Sequence, residues 1–373
     1  MPPHAHRLRT RTAILALVIA TDVVAQPSKP IIDVFIASDE VEMVRYRLRL
    51  HEPFARKTII VESSHNHIAM PKPLHMRNSL SEETIRRHNI VLIDVQFGEE
   101  LLQQVRNCTS GRKCVKMLEV KQRMYMNQIL EREAAAAGDA LIYMSDVDEL
   151  LDGDSLPPVT SVQIPTCATP LMRMYVYGEL CAAVWPLWAK AVLFNASSGW
   201  LQSMVKEKPD LQLRNMVKTC PSSRSYMGWH LTYFTTTSRV LNKLRTFSHS
   251  TEKFVRAITS PKNGTAEAEI ERRISKCKDV RSNRMGPLWS AFDGRLPPLP
   301  GWPRHPLAPT TLSIPRLREL RNKLVADVAK TKAARERGWH AFNLNLTEAE
   351  LRRAVQSGRR CVVADEKSGA CMV

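Results

Sequence analysis

The chain carries eight cysteines but no C-x-x-C pair, so the ligand spacing of a structural zinc site is missing. No stretch beyond the N-terminus is apolar enough to cross a bilayer. Internal repeats are absent as well, which excludes solenoids and propellers. The formal net charge of +17 invites polyanions, yet there is no zinc-finger, helix-turn-helix or aromatic ribonucleoprotein signature. Nucleic acid therefore ranks last among the partners that this charge suggests.

What is present is ordinary globular material: 373 residues, 44% hydrophobic and 24% charged. That length holds one large α/β domain or two smaller ones. Much of the positive excess lies between Arg304 and Arg360, so 298–373 reads as a basic, helix-containing extension beyond a domain spanning 26–297. At the other end, Arg7, Arg9 and Arg11 precede the apolar run Ala13 to Ala20 and a small residue at Ala25. This is the pattern of a secretory signal peptide or short membrane anchor over 1–25, although Asp22 interrupts it and a buried helix is the alternative. An even cysteine count in a lumenal chain favours disulfides, for which Cys108 with Cys114 and Cys361 with Cys371 are the short-range options. Sequons at Asn107, Asn195, Asn263 and Asn345 agree with the secretory route, at the Golgi lumen or membrane.

Along the chain, Ile31 to Ala37, Thr58 to Val61, Ile90 to Val95 and 140 to 144 read as strands. Helical stretches lie between them, at Glu40 to Leu50 and at Lys116 to Ala137, the latter ended by Gly138. Strands alternating with helices predict a mostly parallel sheet with helices on its faces. In such a sheet ligands lie beyond the carboxyl ends of the strands, where Glu62 and Asp146 fall. Tyr175, Tyr177, Trp185 and Trp188 crowd the middle section and read mainly as core, with Gly228, Trp229 and His230 ahead of a β-like run, Leu231 to Thr236.

The fourth strand ends in Asp146, Asp148 and Glu149. Strand alternation puts Asp146 and Asp148 on one side, and a short turn there lets both reach one cation. Two hard oxygen ligands at such an end suit Mg2+ or Mn2+ holding a diphosphate. A calcium loop of the EF-hand type needs more oxygen ligands and a central Gly, and Leu150 and Leu151 break that series.

Several strings occur in order: Asp33-Val34-Phe35, Glu40-x-Glu42 with Arg47 beyond it, Val61-Glu62-Ser63, Pro71-Lys72-Pro73-Leu74, Ser145-Asp146-Val147-Asp148-Glu149 and Gly228-Trp229-His230. Together, from about residue 31 to about 280, they resemble glycosyltransferase family 17, the family of β-1,4-mannosyl-glycoprotein 4-β-N-acetylglucosaminyltransferase. The resemblance implies a GT-A-like α/β fold, UDP-N-acetylglucosamine as donor, a glycoprotein N-glycan as acceptor, Mn2+ (or Mg2+) and inversion at the anomeric carbon. By the same resemblance Asp146, Asp148 and His230 hold the metal and diphosphate. Glu62, Glu119, Arg123 and Asp146 are then candidates for the donor, and Arg47 and Lys72 for phosphate.

Inversion needs a base to deprotonate the acceptor hydroxyl. Glu252 and Glu179 are the candidates, with Glu149 behind them. Leu150-Leu151 and Leu231-Thr232-Tyr233 depart from the animal pattern, on the acceptor side more than the donor side. The competing expectation is a secretory carbohydrate-binding module or an inactive relative.

Overall fold

The computed structural model describes residues 29–108, 112–153, 156, 167–182, 191–199, 201, 203, 220–247, 250, 253–276, 278 and 280. The leader expected over 1–25 and the extension over 298–373 lie outside the described residues, as do Trp185 and Trp188. No helix among the described residues is long and apolar enough to cross a membrane.

The N-terminal half is a parallel βα alternation. It contains β1 (Ile31–Ala37), α1 (Val41–His51), β2 (Ala55–Ser63), α2 (His75–Ser79), α3 (Glu82–Arg87), β3 (Ile90–Val95), α4 (Glu99–Arg106), α5 (Arg112–Ala137) and β4 (Leu141–Asp146). The remainder contains β5 (Glu149–Leu151), β6 (Cys167–Val176), β7 (Gly178–Ala182), β8 (Val192–Asn195), β9 (Ser222–Thr232), α6 (Thr237–Thr246), α7 (Lys253–Thr259) and α8 (Ala266–Ile274). The sheet runs β3-β2-β1-β4-β8-β6-β9-β5, with β7 beside β6. Strands β3, β2, β1 and β4 pair in parallel. Beyond β4 the pairing turns antiparallel at β8, and among the described strands β6 with β9 returns to parallel. The expected α/β sheet flanked by helices is the architecture observed.

Near-continuous apolar runs form the parallel strands because both faces are covered. Ile32 and Val34 of β1 join the core under α5, with Leu118, Met126 and Leu130. Phe35 and Ala37 face the opposite layer with Val44 and Tyr46 of α1. The C-terminal helices close a further cluster, in which Val240, Leu244 and Ile270 pack on Met174 and Val176 of β6. One disulfide joins Cys167 at the start of β6 to Cys220 just before β9, pinning the two strands that pair in parallel. Cys108 is also disulfide-bonded.

The structure corrects one boundary. Gly228, Trp229 and His230 lie inside β9 rather than ahead of a strand, and the chain turns at Tyr233 (φ 60°) before entering α6. The reason is steric. A Cβ on Gly228 would sit 1.9 Å from the Leu150 carbonyl oxygen, so glycine lets β9 press flat against β5.

Candidate active site

The site is built where β1, β4 and β9 end and β5 begins. Strand β4 stops at Asp146, Val147 and Asp148 form a turn, and β5 starts at Glu149. Because of that turn the two aspartates meet different partners. Asp146 Oδ1 accepts from Arg123 Nη2 at 2.9 Å. Asp148 turns toward β9 and α6, with Oδ1 3.4 Å from His230 Nε2 and Oδ2 3.8 Å from Lys243 Nζ. Burial pushes the Asp148 carboxyl up, but His230 and Lys243 outweigh it and hold it down to about 2. Glu149 is fully buried and points back, its Oε2 accepting the Asp146 backbone N–H at 2.7 Å. It closes the turn.

Behind the turn is a buried network that pattern reading did not assign. Arg47 and His51, four apart on α1, face Asp33 in the middle of β1. Arg47 Nε donates to Asp33 Oδ2 at 2.8 Å, and Nη2 donates to Asp33 Oδ1 and to Ser145 Oγ. Its Nη1 donates to the carbonyls of Asp146 and Glu149, both at 2.8 Å, and of Val147 at 3.3 Å. One guanidinium thus holds the whole acidic turn from behind. His51 Nδ1 lies 2.8 Å from Asp33 Oδ2, while its Nε2 accepts the Leu151 backbone N–H at 3.0 Å. An Nε2 that accepts must be unprotonated, so the ring is the neutral Nδ1–H tautomer. Burial pushing the imidazole below its ordinary value agrees with that. The only sequence signal for the network was the isolated Asp33 in an otherwise apolar strand.

The other expected residues divide. Glu119 and Arg123 do share a face of α5, with Arg123 Nη2 3.2 Å from Glu119 Oε1, and Arg123 bridges Glu119 to Asp146. Both oxygens of Glu62 are engaged in the fold: Oε1 accepts from Lys72 Nζ at 3.0 Å and the His75 N–H at 2.6 Å, and Oε2 accepts the Met76 N–H at 2.9 Å. Here Glu62 and Lys72 secure the start of α2. Arg47, expected near phosphate, is buried instead. Glu252 lies outside the described residues, and of Glu179 only the backbone, in β7, is described.

Two further side chains enter from elements without a motif. Lys243 of α6 lies 3.1 Å from Glu40 Oε1 as well as near Asp148. Burial pulls its ammonium down, but those two carboxylates more than reverse this and raise it. His67, on the segment after β2, interacts with Glu119, Arg123 and Glu40, and burial lowers its imidazole.

Manganese takes carboxylate oxygens readily and tolerates imidazole. Asp148 and His230 present one donor of each kind at 3.4 Å, which fits a corner completed by diphosphate oxygens and water. Asp146 is engaged by Arg123 rather than turned into that corner. Among the described residues no group of three His, Cys, Asp or Glu side chains could hold a metal ion.

A family model described as glycosyltransferase family 17 matches residues 19–282. Comparison with curated proteins gives no match. Among solved structures, the chain is similar to glucosyl-3-phosphoglycerate synthase of Mycobacterium tuberculosis in complex with Mn2+, UDP and phosphoglyceric acid, at 10% identity over 55% of this chain and 70% of that one, TM-score 0.24. It is also similar to an active-site mutant of LgtC, at 14% identity over 60% and 81%, TM-score 0.27.

Proposed function

The chain belongs to glycosyltransferase family 17, and from that premise we propose that it transfers N-acetylglucosamine from UDP-N-acetylglucosamine to a β-linked mannose of glycoprotein N-glycans, with inversion. The observation that carries this reading is the Asp148–His230 pair at the β5–β9 junction. It offers an imidazole nitrogen and a carboxylate oxygen, the latter on the wall of a cleft lined also by Glu40, Tyr233 and Lys243. A divalent cation bound there, Mn2+ or Mg2+, supplies positive charge to the leaving diphosphate.

The chain's own residues do the rest. Arg47 fixes the backbone that carries both aspartates, Arg123 holds the Asp146 carboxylate, and Lys243 stands beside Asp148 as a second cation for phosphate oxygens. The acceptor hydroxyl attacks the anomeric carbon on the face opposite the diphosphate and gives its proton to a carboxylate. The Cys167–Cys220 disulfide supports an oxidising compartment, in keeping with a place in the secretory pathway. The engagement of Asp146 by Arg123 favours the second reading, a carbohydrate-binding or inactive relative. The test is to incubate the protein with Mn2+ and a panel of UDP-sugars, with and without N-glycan acceptors, and to measure UDP release. Acceptor-dependent release from UDP-N-acetylglucosamine alone is expected. A protein that binds glycans and ignores the nucleotide sugar would be a lectin.

A further inference from the structure

We propose that Glu40 is the general base of the transfer, the group that takes the proton of the attacking acceptor hydroxyl. The proposal rests on the glycosyltransferase reading of the site. Four carboxylates, Asp39, Glu40, Glu42 and Asp148, line the cleft together with two cations, Arg239 and Lys243. Carboxylate in excess repels phosphate except beside a bound cation, whereas it suits the O–H donors of a neutral sugar. Tyr233 and Phe234, both buried, form part of the same wall.

Three of the four carboxylates are committed elsewhere. Asp148 belongs to the diphosphate corner. Glu42 is largely exposed and paired with Arg45 one turn along α1, and Asp39 Oδ2 accepts from Asn242 at the rim. Glu40 is the one that is both enclosed and aimed. Its side chain is about one-fifth exposed (21%). Oε2 accepts the Ser38 backbone N–H at 2.9 Å, and Oε1 lies 3.1 Å from Lys243 Nζ. Each oxygen has a second lone pair left for a hydroxyl. Lys243 stands between Glu40 and Asp148, so one ammonium links the oxygen that receives the proton with the corner that receives the leaving charge. In the step itself the acceptor oxygen forms a bond to the anomeric carbon as the bond from that carbon to the diphosphate breaks. The hydroxyl proton passes to Glu40 and the bonding pair leaves with UDP.

The test uses the full chain with Mn2+, measuring UDP-N-acetylglucosamine binding by calorimetry and transfer to an N-glycan acceptor by UDP release. Glu40→Gln should leave the donor Kd within about threefold and lower kcat at least 100-fold, the range of a lost acid-base group. Glu40→Asp, which keeps the charge and shortens its reach, should bind donor equally and recover part of the rate; it also stands in should the glutamine variant fold poorly. Full transfer by Glu40→Gln would overturn the assignment. So would a parallel loss of donor binding in both variants, which would make Glu40 a donor contact. Wild-type protein that neither binds nor transfers the sugar would instead bring down the glycosyltransferase reading, and the base with it.

Discussion

Arg47 and Asp33 form a fully buried ion pair between α1 and β1, and the same guanidinium grips three carbonyls of the acidic turn. Burying two charges is costly unless every remaining donor and acceptor is satisfied. Here the donors left over from Asp33 are spent on Ser145 and the turn, so the arrangement ties the stability of the fold to the placement of Asp146 and Asp148. Arg47→Ala should therefore cost about 3–5 kcal/mol, because it strands Asp33. Arg47→Lys keeps the charge but loses the fork, and should recover only part of that in denaturant unfolding.

The same network sets the acid limit. The folded pKa of His51 is lowered, so its contribution to stability is complete above its unfolded pKa of about 6.5 and shrinks as pH falls below that. Burial raises the Asp33 carboxyl, but Arg47 and His51 pull it well below the ordinary carboxylate range. Its contribution is present above the unfolded value near 4 and is lost as pH falls further. Melting temperature should thus decline in two stages, starting below about pH 6.5 and steepening below about pH 4. His51→Gln should shrink the first stage, leaving the part that buried His67 contributes, and keep the second.

Gly228→Ala should destabilise by about 3 kcal/mol, the upper end of overpacking costs, since the clash at 1.9 Å is with backbone and no side chain can yield. Because β9 carries His230 and pairs with the strand after Asp148, the variant should also lose donor binding. Unfolding and calorimetry on one sample check both.

The parallel half of the sheet was legible because β1, β2, β3 and β4 are apolar runs of strand length between amphipathic helices, and the ends of β1 and β3 coincide with those read from pattern. The acidic turn was legible as a motif, but its geometry was not. Strand alternation put Asp146 and Asp148 on one side, whereas the turn at Val147 sends one to Arg123 and the other to His230. Arg47 and Glu62 were read as surface contacts for ligand because nothing in local sequence tells a buried ion pair from an exposed one. Glu40 and Lys243 are 203 residues apart. The contacts of α6 with the loop after β1 bring them together.

Removing the Cys167–Cys220 disulfide, which spans 53 residues, should cost about 2–4 kcal/mol. A Cys167→Ser, Cys220→Ser variant kept under oxidising conditions should show this loss in its unfolding midpoint against oxidised wild type, while leaving the acidic turn in place.

The most direct measurement is calorimetric titration of UDP-N-acetylglucosamine into wild-type protein and Asp148→Asn, each with and without Mn2+. The asparagine keeps the shape of the buried side chain and removes its charge. Wild type should bind only with the cation, and the variant should lose at least 100-fold in affinity while remaining folded. Equal binding by both proteins, or binding indifferent to manganese, would contradict the assignment of Asp148 to the diphosphate corner.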